Sequence, residues 1–211
     1  MRPDAPSSLR AEAALRVKVV LLDADGVLTD GGIYVADGDA EGASWELRRF
    51  AVQDGIAIHM LHHASIRVAI VSAKESPAVR ERARSLGIEE VHQVDPRGKL
   101  TAVHGILERM GADWTEAAFL ADDLPDIPVL KRVGLPAAVA NAVPEVRAVA
   151  RWQGRVPGGK GALREFVEAL LRARGEWEGL VERYLAECEA AAGIVEEEAD
   201  AGSAGATREG G

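Results

Sequence analysis

The 211-residue sequence is poor in cysteine and in aromatic residues. Its single cysteine, Cys188, excludes an internal disulfide framework and is typical of a protein in a reducing compartment. Aromatic residues make up only 4% of the chain, whereas hydrophobic residues make up 47%. We therefore expect one domain of ordinary size with peripheral elements, whose core consists mostly of Ala, Val, Leu and Ile.

Long hydrophobic runs and an excess of basic charge are also missing. No stretch approaches the length of a transmembrane helix, and residues 1–10 lack the hydrophobic region of a signal peptide. The formal net charge of -9 argues against binding to nucleic acid or to a membrane surface. We expect a soluble, cytoplasmic protein with no nucleic-acid or membrane partner.

The most informative part of the sequence is a short apolar run that ends in two acids. Val19 to Leu22 is followed by Asp23 and Asp25, and then by Gly26. The run predicts a buried strand, and residues two positions apart on a strand point to the same side. Neighbouring carboxylates repel each other and are costly to bury without a cation or a shared proton. The pair is therefore a candidate site for a divalent metal.

Further strands and helices alternate along the chain. Apolar runs at residues 66–72, 91–94, 117–121 and 137–140 predict four more strands, with helical patterns between them. This alternation is typical of an α/β fold, here a three-layer Rossmann-like parallel sheet with helices on both faces. Residues 31–50 contain two strand-like runs around an Asp-Gly-Asp turn and predict a β-hairpin inserted after the first strand.

Composition divides the chain into four parts. Residues 1–16 are expected to form an irregular lead-in or a short helix, and residues 17–175 the α/β domain. Residues 176–195 have the Ala/Glu-rich pattern of a C-terminal amphipathic helix. Residues 196–211 are acidic and then rich in Gly and Ala, so we expect a disordered acidic tail.

Polar residues follow three of the predicted strands. Asp23 and Asp25 end the first, Ser72 ends the second, and Asp122 and Asp123 follow the fourth. Sites in open α/β sheets form at the carboxyl ends of the strands. Three polar groups at such ends indicate a functional site.

The acids at these strand ends suit Mg²⁺, which prefers oxygen ligands in octahedral geometry. Asp23 and Asp122 can supply carboxylates, and the backbone carbonyl of Asp25 can supply a third oxygen. Asp123 and Asp126 could be further ligands or could support the ligands.

The same residues could support phosphoryl transfer. Asp23 could attack phosphorus and form an aspartyl-phosphate, while Asp25 protonates the leaving oxygen and then activates water. The Ser72 hydroxyl, the backbone N–H of Ala73 and the Lys99 ammonium could stabilise the charge on the phosphate oxygens.

These residues resemble the four motifs of the haloacid dehalogenase superfamily. Asp-Ala-Asp-Gly-Val at residues 23–27 matches motif I, Ser72 motif II, Lys99 motif III and Asp122-Asp123 motif IV. The chain is also similar, over roughly residues 15–172, to the 3-deoxy-D-manno-octulosonate 8-phosphate (KDO 8-phosphate) phosphatase family. The similar segments, in the same order as in the family, are residues 25–31, 50–55, 122–129 and 158–165.

The resemblance implies a cap-less, Mg²⁺-dependent phosphatase that acts on eight- or nine-carbon acidic sugar phosphates, mostly in lipopolysaccharide synthesis. It also implies a homotetramer whose hairpins join in a central barrel, with a neighbouring subunit helping to close each active site. By motif match, Asp23 would be nucleophile and metal ligand, Asp25 acid/base and Asp122 a ligand. Phosphate would be bound by Ser72, Ala73 and Lys99. The sugar would be bound by Val52, Gln53, Asp54, Gly55, His59, Lys74 and Lys160.

The sequence departs from the family pattern around the predicted sugar site. Lys74 and Lys160 replace arginines, Ala51 and Gln53 replace an Asn and an Arg, and His59 stands where members often carry Arg. Lysine does not reproduce the two parallel hydrogen bonds that arginine makes to a carboxylate.

Three functions are consistent with the sequence. They are hydrolysis of KDO 8-phosphate, hydrolysis of a nine-carbon sugar acid phosphate, and a non-enzymatic tetramerisation or regulatory module. The last resembles the phosphatase-like domain attached to some nonulosonate cytidylyltransferases. Motif II usually continues Gly-Arg in the family, and its change to Ala73-Lys74 favours such a module. The intact Asp23–Asp25 pair argues against it.

Overall fold

A computed structural model describes residues 9–37 and 44–192 of the chain. The strands are β1 Val19–Leu22, β2 Tyr34–Asp37, β3 Ser44–Leu47, β4 Arg67–Ser72, β5 Glu90–Gln93, β6 Ala117–Ala121, β7 Leu135–Ala138 and β8 Trp152–Gln153. The helices are α1 Ala11–Arg16, α2 Gln53–His63, α3 Pro77–Ser85, α4 Lys99–Arg109, α5 Ile127–Leu130, α6 Pro144–Val149, α7 Ala162–Arg174 and α8 Trp177–Ala192.

Six parallel strands form the main sheet, in the order β5-β4-β1-β6-β7-β8. All residues of β1 and β6 are buried, as expected for central strands that are covered on both faces. The predicted parallel α/β fold is confirmed. The sequence predicted five of the six strands and missed β8, because two residues are too short for a recognisable pattern.

The strand order places helices on both faces of the sheet. From β1 the chain moves outward to β4 and β5, then crosses to β6, β7 and β8 on the other side. Since parallel crossovers are right-handed, the helices of the two halves lie on opposite faces. Accordingly α2 packs with α7 on one face, while α5 contacts both α4 and α6 on the other.

A separate antiparallel pair, β2 and β3, forms the hairpin predicted within residues 31–50. Tyr34 pairs with Leu47, and an isolated bridge between Thr29 and Phe50 closes the base. More than half of the surface of Ile33, Tyr34, Val35 and Leu47 is exposed. The turn of the hairpin, residues 38–43, lies outside the described residues.

The two ends of the described chain pack beside each other. Helix α1 lies within residues 1–16, for which a short helix was one of the two expectations, and it contacts α7. Helix α8 also packs on α7 and accounts for most of the helix predicted at residues 176–195. The predicted tail, residues 196–211, lies outside the described residues. Within the described residues, no helix is both long and apolar enough to span a membrane.

Candidate active site

Three carboxylates and one lysine meet at the carboxyl ends of the two central strands. Asp23 follows β1, while Asp122 and Asp126 come just after β6, which pairs directly with β1. A carboxylate oxygen from each of the three acids lies within 4.8 Å of the other two. Lys99, the first residue of α4, places Nζ 2.6 Å from Asp23 Oδ1 and 2.6 Å from Asp126 Oδ1.

The structure separates the roles of Asp123 and Asp126, which sequence reasoning treated together. Asp126 is buried within this acidic group, and its Oδ1 pairs with Lys99. Asp123 is exposed, and its Oδ1 accepts a hydrogen bond of 2.8 Å from the backbone N–H of Leu124. Asp126 is therefore a member of the site, whereas Asp123 shapes the turn that carries it.

Burial raises the pKa values of all three acids, and repulsion by neighbouring carboxylates adds to this effect for Asp23 and Asp122. Burial raises the pKa of Asp23, the charge of Asp126 raises it further, and Lys99 opposes both effects. Burial and the charge of Asp23 raise the pKa of Asp122 to about 8. Burial alone would lower the pKa of Lys99, but the neighbouring carboxylates outweigh it and raise that pKa. One lysine does not neutralise three acids.

The acidic group fits a divalent cation that prefers oxygen. Asp122 Oδ1 and Asp126 Oδ2 are buried and have no hydrogen-bond partner within the described residues. Such atoms are costly to bury unless something pairs with them. Every side-chain atom in this group that could bind a metal is a carboxylate oxygen. The group therefore suits Mg²⁺ better than a metal that prefers nitrogen or sulfur.

Gly26 brings backbone close to the acids. Its φ is +87°, and a Cβ at this position would lie 2.0 Å from Asp122 Oδ2. The Gly26 N–H donates to Thr29 Oγ1, and its carbonyl accepts a 2.9 Å hydrogen bond from Asn141 Nδ2. Asn141 Oδ1 also accepts from the N–H of Gly158 at 2.7 Å. Asn141 thus connects the motif I loop to the loop that contains Gly158.

Sequence reasoning missed Asn141 as a site residue. The available signal was its position directly after the predicted strand at residues 137–140. At that end of the sheet a polar residue can reach the loop after β1.

Arg48 reaches Asp25 from the base of the hairpin. Its Nη1 lies 2.8 Å from Asp25 Oδ1, and its side chain is only 1% exposed. Arg48 Nε also donates to Glu46 Oε1 at 2.9 Å, and Lys74 Nζ donates to Glu46 Oε2 at 2.7 Å. Sequence reasoning missed Arg48, because nothing in its spacing distinguishes it from any other hairpin residue.

Ser72 occupies the end of β4, next to the motif I loop. In the parallel register Leu22 pairs with Ile70, and β4 runs two residues further to end at Ser72, in contact with the loop after β1. The Ser72 side chain is buried, and its Oγ accepts a 3.3 Å hydrogen bond from the backbone N–H of Lys74. Ala73 follows directly and is partly exposed. The predicted motif II residues therefore lie at the same edge of the sheet as Asp23.

A cleft of about 600 Å³ brings together two of the predicted sugar-binding residues, Gln53 and Lys160. Further basic and acidic side chains line it, among them Arg155, Arg164 and Glu165. Lys160 forms no ion pair within the described residues, whereas Arg155 pairs with Glu165.

Asp54 lies beneath this region and not in the cleft lining. It is buried, and its Oδ1 accepts a 3.0 Å hydrogen bond from the backbone N–H of Arg164 at the start of α7. Burial raises the pKa of Asp54 to about 6, in spite of this hydrogen bond. Asp54 thus connects α2 to α7.

The other residues predicted to bind the sugar are more dispersed. Val52 is 85% exposed just before α2, and Gly55 faces Leu86 and Arg82. The ring of His59 contacts His63 and Tyr184 of α8, and His59 does not line the cleft. The structure does not bring His59 together with Gln53 and Lys160.

Comparison with known proteins identifies the family. Residues 97–158 match the family model of haloacid dehalogenase-like hydrolases. The chain is 35% identical to a 3-deoxy-D-manno-octulosonate 8-phosphate phosphatase from Yersinia pestis over 168 residues, which cover 80% of this chain and 87% of that protein. The chain belongs to the KDO 8-phosphate phosphatase family.

Other members of the KDO 8-phosphate phosphatase family agree in sequence and in fold. The phosphatase of this name from Escherichia coli strain K12 is 37% identical over 163 residues, covering 77% of this chain and 84% of that protein. A crystal structure of the Moraxella catarrhalis phosphatase, in complex with magnesium ion, phosphate ion and a KDO molecule, matches with a TM-score of 0.76. It is 32% identical and covers 82% of this chain and 97% of that chain. The resemblance inferred from the motifs is confirmed.

Proposed function

We propose that the protein is a Mg²⁺-dependent phosphatase that hydrolyses KDO 8-phosphate to KDO and phosphate. The observation that carries the proposal is the group of buried Asp23, partly buried Asp122 and buried Asp126 around Lys99. The names of the related phosphatases, one of them solved with magnesium, phosphate and KDO, support the substrate.

Mg²⁺ would be held by Asp23, Asp122 and the backbone carbonyl of Asp25. When bound, it would supply positive charge that offsets the carboxylates and the phosphate oxygens. Asp126 would keep Lys99 oriented through their 2.6 Å contact. Lys99 would then be positioned to share its charge between Asp23 and the incoming phosphate.

In the first step Asp23 would attack phosphorus with a carboxylate oxygen. The bond between phosphorus and the sugar oxygen breaks, and Asp25 donates a proton to that leaving oxygen. In the second step Asp25 takes a proton from water, which attacks the aspartyl-phosphate at phosphorus and releases phosphate. Asp23 returns as a carboxylate and Asp25 as an acid.

The remaining phosphate oxygens would be bound at the end of β4 and the start of α4. The Ser72 hydroxyl, the backbone N–H of Ala73 and the Lys99 ammonium can each donate to them. Donors held in place before the reaction cost no reorganisation when charge develops on the oxygens.

The sugar acid would enter from the cleft lined by Gln53 and Lys160. Lys160 is the cation best placed to meet its carboxylate, because it forms no ion pair within the described residues. Val52, Gly55 and Lys74 remain proposed contacts, whereas His59 faces α8 and would not reach the sugar. Asp54 would act by holding α2 in place. A cytoplasmic location accompanies this proposal, since the single cysteine suits a reducing compartment.

The hairpin would assemble four copies of the chain. Its exposed apolar residues, among them Tyr34, Val35 and Leu47, form a surface of the kind that marks a protein interface. Val35→Glu would place a charge in that interface, and light scattering should report a smaller species than the wild-type homotetramer. A wild-type protein that is monomeric at assay concentration would contradict the assembly.

Release of phosphate from a panel of eight- and nine-carbon sugar acid phosphates tests the activity, with Mg²⁺ or with a chelator. We expect Mg²⁺-dependent turnover with the highest kcat/KM for KDO 8-phosphate, and a loss of at least about 10³-fold in Asp23→Asn. Full activity in that variant, or in the chelator, would refute the mechanism.

A nine-carbon substrate is the second candidate, favoured by Gln53 and Lys160 where the family carries arginines. A higher kcat/KM for a nine-carbon ester would select it. A wild-type protein that assembles but turns over no ester would instead indicate a non-enzymatic module.

A further inference from the structure

Two histidines on α2 face an acid on α8, away from the acidic group of the active site. His59 and His63 are four positions apart, so they lie on the same face of the helix. His63 Nδ1 lies 3.7 Å from Glu187 Oε1. One potential ligand atom from each of these three residues lies within 4.8 Å of the other two.

The His59 ring has an unused nitrogen in this group. Its Nε2 is buried and has no hydrogen-bond partner in the part of the chain that the structure describes. The ring is held between His63, at a centroid distance of 4.2 Å, and the edge of Tyr184, at 5.1 Å. A buried ring nitrogen without a partner is costly, and it would be satisfied by binding a cation.

Access to this group is open from one side. The side chain of His63 is 26% exposed and that of Glu187 is 48% exposed. A cation can therefore enter from solvent, and water can complete its coordination.

We propose that His59, His63 and Glu187 form a second cation site, selective for a transition metal such as Zn²⁺. Two imidazoles and one carboxylate are ligands that Zn²⁺ binds well, whereas Mg²⁺ prefers oxygen alone. With metal–ligand distances of about 2.0–2.2 Å, tetrahedral coordination brings ligand atoms to roughly 3.3–3.5 Å from one another. Small side-chain rotations achieve this from the present separations.

The site would fasten α8 to the body of the protein. Its ligands come from two helices, so the bound cation adds a direct link between α2 and α8, which each also pack against α7. Helix α2 begins at Gln53, which lines the cleft. The proposal concerns residues outside the acidic group and does not depend on the proposed phosphatase activity.

Calorimetric titration of the full chain with Zn²⁺ tests the site, using protein without a polyhistidine tag. Excess Mg²⁺ is present throughout, so that Zn²⁺ competes poorly for the acidic group. We expect one Zn²⁺ per chain, and an affinity reduced by more than about tenfold in both His63→Gln and Glu187→Gln. The side chain of Glu187 is about half exposed, so its variant keeps the test valid if His63→Gln fails to fold.

Two control variants test whether Zn²⁺ binds instead to other potential ligands on the surface. His104→Ala removes an exposed histidine on α4, and Cys188→Ser removes the neighbouring thiol. Both should bind Zn²⁺ as the wild type does. Zn²⁺ should also raise the Tm of the wild type and leave that of Glu187→Gln unchanged. Absence of Zn²⁺ binding to the wild type, a wild-type affinity in both ligand variants, or loss of binding only in Cys188→Ser would overturn the proposal.

Discussion

Arg48 Nη1 lies 2.8 Å from Asp25 Oδ1 and so connects the base of the hairpin to the loop after the central strand. The arginine side chain is almost entirely buried, and Nε holds Glu46 of the hairpin at the same time. The orientation of Asp25 is therefore coupled to the position of β3. We expect any shift of the hairpin, including one caused by assembly, to change the orientation of Asp25, the proposed acid/base.

Arg48→Met should lower kcat by roughly 10- to 100-fold, because a misplaced catalytic group has an effect of this size. KM should change less, since Arg48 is expected to act through Asp25 and not on the sugar. Steady-state kinetics of phosphate release measures both constants.

Two further variants test whether Arg48→Met acts by misplacing Asp25 or by disturbing the fold in general. Arg48→Lys keeps a cation near Asp25 and should recover part of kcat. In Asp25→Asn the additional change Arg48→Met should have little further effect, because residues that act together are not additive. A full, independent loss in the double variant would contradict a role through Asp25.

Lys99→Met should destabilise the protein most when divalent metal is absent. It removes the cation that pairs with both Asp23 and Asp126, and loss of one partner from a buried ion pair costs about 3–5 kcal/mol. We expect a lower Tm in a chelator and partial recovery in excess Mg²⁺, because a bound cation replaces the lost charge. Lys131→Met, at an exposed position, should melt as the wild type does. Equal destabilisation with and without Mg²⁺ would argue against a cation site here.

Gly26→Ala should abolish most of the activity. The new Cβ would lie 2.0 Å from Asp122 Oδ2, and the backbone conformation at φ +87° is unfavourable for alanine. We expect a loss of at least about 100-fold in kcat/KM, together with a lower Tm. Gly179→Ala on α8 is the control: a Cβ there meets no atom of the described residues within 4 Å, and we expect up to about 1 kcal/mol of added stability. Wild-type activity in Gly26→Ala would show that catalysis does not require the present position of the Asp122 carboxylate.

Asp54 should make stability fall as pH rises from about 4 to about 6. Burial raises its pKa from 3.8 to about 6, so the folded state holds the proton more tightly than the unfolded chain. The contribution is complete below the unfolded pKa and is lost as pH passes the folded pKa, with an upper limit of about 3 kcal/mol.

Asp54→Asn should remove this part of the pH dependence, because an amide oxygen can still accept from Arg164 but does not ionise. Urea unfolding at several pH values measures the difference between wild type and variant. A difference in unfolding free energy that is constant across this range would contradict the raised pKa.

Much of the fold was predictable from the sequence because buried strands of a parallel sheet are continuous apolar runs. Val19–Leu22 and Ala117–Ala121 are of this kind, and each is followed by aspartate. Strand β8 was not predictable, because Trp152 and Gln153 become a strand only by pairing with Ala137 and Ala138. Its existence depends on a neighbour that is distant in sequence.

Part of the candidate active site was also predictable from the sequence. Asp23, Ser72 and Asp122 lie at strand ends, where chain direction alone brings side chains to one edge. Asp126 and Asp123 looked alike in sequence, and only the turn after β6 buried one and exposed the other. Arg48 and Asn141 gave little or no signal, because their roles depend on partners far along the chain.

The sequence by itself determined where the sheet's main strands lie along the chain, the acids at their ends and the family to which the motifs belong. These features depend on local periodicity and on residue order, which can be read along one chain. Only the tertiary structure decided that Lys99 bridges Asp23 and Asp126, that Arg48 pairs with Asp25, and that His59 faces α8. The physical reason is that ion pairs and ring contacts depend on distances between elements, which sequence spacing does not specify.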